Sequence, residues 1–563
     1  MFLKTTISRG YKYLQIAESY RQDGVSKHKI IANLGRADVL INSGLENIVA
    51  ALHKLVKKGK SNLGDITTLK EKSRQNYGYI VYKKLWNKYS LTELLTTIAG
   101  KKKTEYHFAQ IVFWLVINRL LSPSSKRHHY LHRERYIEVD KESELHAIYR
   151  SLDLLSSSKE KLEEELFNKN INLFNMQIDV VFYDVTTFHF ESQKSDELRD
   201  FGFSKANKVN EVQVVMGLLI DNQGRPIGYE LFTGNTFDGH TMLRILKKLK
   251  EKFKINQVII VADKGLNSKM NFKEIKSNGF DYIVSSRIKN MGKKIQDEIL
   301  NDEGYKKTKK AQDEDDPEGN NEEFRYKIID YENKLTYTDK ESGKKEKIIL
   351  KEKLVCTYSS KRAAKDYRDR ERAIAKAKEV LDKQDYGKLK NKKGYKKYIN
   401  TKEKQMQEYS LDEAKIKNDS RFDGYYAIAY SRLDLSPQEV IEQYHNLYRI
   451  EESFRILKST MKTRPIYLRT KAHIEGHFVI CFLAFLLERE LELRLRKRKI
   501  EYSSEKIKEA LNSLEFSEIE IEKEKYYLKG KQKNLASKIL AVLKIKQPIK
   551  LLTNEQVIEY LSL

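Results

Sequence analysis

The sequence predicts an α/β core interrupted by a mainly β insertion subdomain, with an N-terminal hairpin and helical region before it and a C-terminal helical region after it. Three observations carry that prediction. From Ile178 to about residue 289, short β-branched apolar runs alternate with amphipathic helix patterns. Between about 290 and 430 the rhythm stops, and charged loops separate isolated strand candidates. Long helical patterns return from residue 431.

Length and composition bound the answer. A chain of 563 residues exceeds one hydrophobic core. Hydrophobic residues at 40% and charged residues at 33% suit a globular chain rather than a disordered one. The longest apolar run, Phe478 to Leu487, is about half of what a membrane span needs, so it reads as a buried helix and no membrane partner is expected. The first residues lack a signal-peptide stretch, and a cytoplasmic location is expected. Two cysteines, Cys356 and Cys481, argue against a disulfide framework or a cysteine zinc site. Lysine and arginine number 107 against 80 acids, a net charge of +27. Codon bias towards lysine explains part of this, and the 34 tyrosines agree with it. A polyanion partner accounts for the remaining imbalance.

Residues 1–60 read as a β-hairpin region, TISRGYKYLQIAESYR and VSKHKIIANLGR flanking an Asp-Gly turn. Residues 70–175 are helical: FAQIVFWLVINRLL is apolar almost all round, and SELHAIYRSLDLL and KEKLEEELFNKNINLF follow as two amphipathic helices. In 176–289, IDVVFYDVTTFHF, EVQVVMGLLID and RPIGYELF are strands, TMLRILKKLKEKF is a helix, and NQVIIVAD is a short buried strand. A helix near Lys269–Ser277 and the strand DYIVSS complete this stretch. Three meandering strands, a helix and a further strand is the order expected of a ribonuclease-H-like core. In 290–430, KLTYT, KIILKEKLVCTYSS and GYYAIAYS are strand candidates and RDRERAIAKAKEVL is a helix. In 431–500 a long helix starts at Ser436 as N-cap with Pro437 in its first turn, and HIEGHFVICFLAFLLERELELRLRKRK is another. Residues 501–563 read as a charged helical tail.

Three acids stand out. Asp184 ends the strand VVFYD and Asp263 ends VIIVAD, positions where an acid is either a ligand or a cap on the following turn. Within QYHNLYRIEESFRILKS, Tyr444, Glu451 and Lys458 are seven residues apart, which stacks them on one face of a continuous helix, with Arg455 in the same stripe. Leu447, Ile450, Phe454 and Leu457 form the adjoining apolar stripe. Glu452 is the alternative acid, about a quarter-turn off that face. An ordinary amphipathic helix with surface ion pairs explains the same spacing. Phosphoryl transfer between DNA strands calls for such acids: two divalent ions roughly 3.5–4 Å apart activate the nucleophile and stabilise the leaving oxygen.

YDVTT, IVADKG and the Tyr444–Lys458 segment together resemble the DDE transposases of bacterial insertion sequences, within the insertion-sequence-four superfamily with its Tyr-Arg-Glu-Lys signature. Leu447 stands where that family often has arginine; Arg449 and Arg455 are the cations that would substitute. GFSK at 202–205, GNTFDGHT at 234–241, KSTMKTRPIYLRTKAHIEGHF, YLQIAESYR, IIANLGR and NRLLSPSSK resemble the sixteen-thirty-four-like branch. The resemblance implies Asp184, Asp263 and Glu451 as metal-binding catalytic acids, two Mg²⁺ or Mn²⁺ ions, and phosphate contacts by Tyr444 and Lys458. It also implies a β-rich insertion between the second and third acids, and a homodimeric synaptic complex on terminal inverted repeats and target DNA. Cut-and-paste transposition is the expected function. A nuclease on the same fold that does not join strands, and an inactive sequence-specific DNA-binding protein, are the alternatives.

Other clusters are weaker. His128, His129 and His132 have helical spacing for zinc but no HExxH pattern. The segment Ser122–Arg127, with Lys126 and Arg127, is assigned to DNA binding within a DNA-end-binding region at 70–175, although helix capping explains its serines equally well. The Lys388–Lys397 run reads as a solvated face. No Walker-type phosphate loop occurs, so ATP-driven action is not expected.

Overall fold

The computed structural model describes residues 2–22, 25–42, 71–100, 106–137, 143–174, 179–202, 210–236, 241–255, 257–263, 265, 268–307, 323–338, 344–384, 394–404, 406–521 and 524–562. They form two compact units, Met1–Leu162 with Ile456–Leu563, and Glu163–Arg455.

The first unit opens with strands β1 (Phe2–Ser8), β2 (Tyr11–Gln22) and β3 (Val25–Arg36), an antiparallel sheet in that order. The expected hairpin is β2–β3; its Asp23-Gly24 turn lies outside the described residues. The run beginning at Thr5 is not one strand, because the chain reverses at Arg9 and Gly10 and pairs Ser8 with Tyr11. Both turn residues have positive φ, 50° and 78°, which a two-residue hairpin requires. Helix α1 (Ala37–Asn42), strand β4 (Glu71–Asn76) and helices α2 (Ile80–Lys88) and α3 (Leu91–Gly100) follow. Helix α4 (Phe108–Leu121) is buried almost all round, as its sequence predicts. Helix α5 (Lys126–Leu131) is capped by Ser125, whose hydroxyl accepts from the His128 amide at 3.1 Å. The two amphipathic helices expected next are one, α6 (Leu145–Phe174). Its mid-helix serines do not break it, because Ser151 and Ser157 donate back to the carbonyls of Ala147 and Leu154.

The second unit is built on a nine-stranded sheet. Strands β5 (Val180–His189), β6 (Gln213–Asp221) and β7 (Pro226–Thr233) form an antiparallel meander. Gly217 lets it close: a Cβ there would lie 2.4 Å from the Tyr183 hydroxyl, which donates to Thr241 at 2.7 Å. Helix α7 (Met242–Lys247) continues as a π-helical turn, Lys248–Lys252. Buried Lys248 pairs with Glu163 at 2.5 Å and Glu230 at 2.6 Å, fastening the end of α6 to this layer. Strand β8 (Ile259–Ala262), helix α8 (Lys269–Ser277) and strand β9 (Asp281–Ser286) follow, with β8 parallel to both β5 and β9.

The segment after β9 divides. Helix α9 (Lys293–Leu300) and strand β10 (Lys306–Lys307) lead to the long hairpin β11 (Phe324–Thr338) and β12 (Lys345–Ser359). Helix α10 (Ser360–Asp382), the hairpin β13 (Ile399–Lys404) and β14 (Met406–Leu411), and helix α11 (Glu413–Ser420) follow, then strand β15 (Tyr425–Tyr430). The sheet order is β10-β11-β12-β15-β9-β8-β5-β6-β7, so the long hairpin and β15 extend the central sheet. β13–β14 and the neighbouring helices keep a small core of their own, around Ile374, Ala377, Tyr398 and Ile399.

Alternation sorts the strand residues onto two faces. Val181, Tyr183 and Val185 of β5, Ile260 and Ala262 of β8, and Tyr282 and Val284 of β9 join Ile245, Leu246, Phe272 and Ile275 of α7 and α8 in one core. Asp184, Asp263, Ser285 and Tyr426 fall on the opposite side. There helices α12 (Pro437–His445) and α13 (Tyr448–Arg455) pack, α12 on β8, β9, β12 and β15, and α13 on β5.

The chain re-enters the first unit through a π-helical turn, Ile456–Thr460, and the buried helix α14 (Lys471–Lys497). The tail is not simply helical. Between helices α15 (Ser504–Asn512), α16 (Asn534–Val542) and α17 (Asn554–Leu561) lie β16 (Glu515–Ile521), β17 (Glu524–Lys529) and β18 (Leu551–Thr553). They form a sheet ordered β18-β17-β16-β4. The alternation in FSEIEI and the paired tyrosines of KYYLK favour strand despite the charge, and the remote β4 supplies the pairing edge. Among the described residues no helix is long and apolar enough to cross a membrane.

Candidate active site

Two of the three acids are placed by strand register. Parallel β5 and β8 pair Tyr183 with Ala262, so the next residues in line are Asp184 and Asp263. Residues paired across a sheet point to the same face, with neighbouring strands roughly 4.8 Å apart. Both aspartates are half-buried. The Asp184 Oδ1 accepts from the Val185 amide at 2.7 Å, which orients the carboxylate.

The helix expected to carry the third acid is two helices. The cap at Ser436 is a full capping box with Glu439, and Pro437 is in the first turn, as the sequence predicts. The helix then breaks at Asn446–Leu447, where the amides of Leu447, Arg449 and Ile450 bond three residues back, to Tyr444, Asn446 and Leu447. Such turns hold about three residues rather than 3.6, and the segment from Ile456 is π-helical. The seven-residue spacing is therefore not carried by one continuous α-helix: Tyr444 is on α12, Glu451 on α13 and Lys458 in the π-helical turn. The apolar stripe does hold: Leu447, Ile450, Phe454 and Leu457 are all buried. Glu451 is exposed on α13, the helix packed against β5; Glu452 is half-buried.

Tyr444 faces inward. Its hydroxyl is 2.6 Å from that of Tyr426 on β15, with ring centroids 5.7 Å apart. Ser285 on β9 is hydrogen-bonded to both phenols. Burial pushes both phenols up, and the negative charge of Asp263 pushes them further, which places that carboxylate beside the pair. The Arg362 guanidinium lies over the Tyr426 ring, 4.3 Å from its centroid. The sequence reading did not single out Tyr426, Ser285 or Arg362. They gave no local signal, since only the pairing of β9 with β15 sets Ser285 opposite Ile428, two residues from Tyr426 and on the same face of the sheet.

Of the other assigned residues, Arg449 is half-buried, with its Nε 3.3 Å from Asn446 Oδ1 and its guanidinium over the Tyr448 ring. Arg455 is exposed at the end of α13, and Lys458 is half-buried in the π-helical turn. In the first unit, Lys126 is buried and Arg127 exposed. His128 and His132 stack, while His129 turns away and contacts the Ser122 carbonyl at 2.8 Å, so the three do not converge on a metal.

Three carboxylates are hard oxygen donors of the kind that hold Mg²⁺ or Mn²⁺. The two aspartates fit that role by their shared face; Asp263 follows the end of β8, whereas Asp184 is in mid-strand, because β5 does not end there as its sequence suggests but runs on to His189. Among the described residues, Asp184, Asp263 and Glu451 do not have carboxylates all within 4.8 Å of one another.

Two family models match the chain. The family described as IS1634 family transposase, N-terminal domain, matches residues 3–65. That described as Transposase DDE domain matches residues 175–487, more than half the chain, and its span contains all three acids. No curated protein matches the chain. The chain belongs to the DDE transposases, enzymes that cleave and transfer DNA, and to their IS1634-type insertion-sequence branch.

Proposed function

We propose that the chain catalyses metal-dependent cleavage and strand transfer at the ends of its own insertion sequence, by a cut-and-paste route. The observation that carries this reading is the register of β5 and β8. It aligns Asp184 with Asp263 on the face where the helix bearing Glu451 is packed. The nine-stranded sheet, whose part β7-β6-β5-β8-β9 is a meander followed by two parallel strands, supports a ribonuclease-H-like core.

Asp184 and Asp263 bind the divalent ions, and Glu451 completes the ligand set. The bound ions supply Lewis-acid activation of the attacking oxygen and stabilisation of the leaving one. Asp184 is held in orientation by the Val185 amide. Tyr426, Tyr444 and Ser285 fix the wall next to Asp263 and remain neutral, so they donate hydrogen bonds without competing for the cations. Arg449, Arg455 and Lys458 contact backbone phosphates, and residues 70–175 bind the element ends. The terminal repeats and the target are double-stranded DNA, and two copies of the chain act in the synaptic complex.

A strand-transfer assay with pre-cleaved ends, Mg²⁺ and target DNA tests the reading. Joined product that disappears in Asp184→Asn supports it. Hydrolysis without joining would favour a nuclease, and DNA binding with neither reaction would favour an inactive binding protein.

A further inference from the structure

The first unit contains a cavity of about 660 Å³ whose chemistry the metal site does not use. It lies between the end of α4 and start of α5, residues 462–468, and α14, and its lining includes Arg119, Lys126, Lys462 and Arg464 but no carboxylate. Arg119 and Lys126 are each only 4% exposed. Arg119 donates to the carbonyls of Met461 at 3.1 Å, Lys462 at 3.2 Å and Ser124 at 3.3 Å, so it staples the cavity wall. The Lys126 Nζ lies 3.3 Å from His477 Nδ1. Among the described residues, neither cation makes an ion pair.

That arrangement is electrostatically costly within the protein alone. A buried charge without a counter-ion loses hydration that nothing replaces. Burial, and then the neighbouring Arg119 charge, push the Lys126 ammonium down to about 7. The imidazoles supply no negative charge: burial, with Lys126 and Arg119 next, drives His477 well below its ordinary value and His129 down to about 3. Stapling occupies both terminal nitrogens of Arg119, while its buried Nε has no hydrogen-bond partner among the described residues. It leaves unexplained why a second buried cation lines the same cavity, with Arg464 half-buried and Lys462 exposed around it.

We propose that this cavity binds a backbone phosphate of the DNA substrate, with Lys126 as the buried contact and Lys462 and Arg464 as the outer ones. The proposal rests on DNA being the substrate, as argued above. The phosphate is the missing counter-ion, and its arrival favours the charged ammonium, so binding takes up a proton on Lys126 whenever the free protein holds it neutral. Above about pH 7 the free form is neutral and the complex charged, so affinity falls by up to about tenfold per pH unit; below that both are charged and affinity is level. The groups facing Lys126 are Arg119 from α4, His129 from α5, His477 and Cys481 from α14, and Lys462 and Arg464 from the intervening loop.

Binding of a duplex oligonucleotide to the full chain, measured across pH 6 to 9 at fixed salt, tests this, with inorganic phosphate as a competitor. The expected result is a pH-dependent fall in affinity that Lys126→Met removes together with about tenfold of the affinity at pH 7. Lys126→Arg, which stays charged, should restore the affinity and leave it level with pH. Cys481→Ala should keep the wild-type profile. Arg464→Gln should weaken binding and lower the salt slope by about one counter-ion. Unchanged DNA affinity and pH profile in folded Lys126→Met would overturn the proposal. So would loss of inorganic phosphate binding alone, which would make the cavity a site for free anions. Neither result touches the transposase reading, which stands or falls on the Asp184-dependent joining assay.

Discussion

The Tyr444 hydroxyl is hydrogen-bonded to the Tyr426 hydroxyl at 2.6 Å, in a wall that the Asp263 charge reaches. Tyr444 is thus engaged within the protein before any substrate arrives. Tyr444→Phe and Tyr426→Phe should each cost about 1 kcal/mol of stability by breaking that bond. The double variant should cost less than their sum, since the bond is lost once. Thermal unfolding of the three variants measures this, and strict additivity would mean that the two hydroxyls do not act as a pair.

The acids make a sharper test. Asp184→Asn, Asp263→Asn and Glu451→Gln should each abolish joining and cleavage while leaving duplex affinity within about twofold, because DNA affinity comes mainly from cationic contacts to phosphates. Glu452→Gln should retain activity. Loss of activity in Glu452→Gln with Glu451→Gln active would reassign the third acid.

Gly476 of α14 meets α6 at close quarters within the first unit. A Cβ at that position would lie 2.2 Å from the Leu152 carbonyl oxygen. Gly476→Ala should therefore destabilise by about 1–3 kcal/mol by overpacking, although alanine is the better helix former. A raised melting temperature in that variant would show that the two helices can separate without cost.

Glu488 gives a pH dependence. It is buried in α14 and accepts from the Tyr82 hydroxyl at 2.5 Å. Burial, and then the charge of Glu492, push its carboxyl up to about 8. The folded chain thus keeps a proton that the unfolded chain releases near 4.5. Its stabilising contribution is complete below that value and is lost as pH rises towards and through about 8. Melting temperature should fall over this window, and Glu488→Gln should flatten the fall. An equal slope in both proteins would place the titration elsewhere.

The strands that carry the aspartates were legible because a buried strand advertises itself locally. VVFYDVTTFH and VIIVAD are largely apolar on both faces, and an acid within or at the end of such a run is conspicuous. The capping box at Ser436 was equally local. The helix break at Asn446–Leu447 was not, since neither residue forbids a helix and the apolar stripe continues through it. Tyr426 and Ser285 were invisible as partners, because residues on different strands meet only through pairing. The tail misled for a related reason: high charge masked a strand alternation whose stability depends on β4, far away in sequence.

By itself, the sequence determined the buried strands of the central sheet and the family, and it singled out three acids as candidates, because periodicity, caps and motifs are properties of neighbouring residues. Tertiary structure alone decided that Asp184 and Asp263 share one register, that the inserted strands extend the central sheet, and that Tyr444 turns inward to Tyr426. It also decided that two cations, Arg119 and Lys126, are buried beside one cavity without an acid. Register, sheet order and the desolvation of a charge all depend on residues that the chain brings together only when it packs.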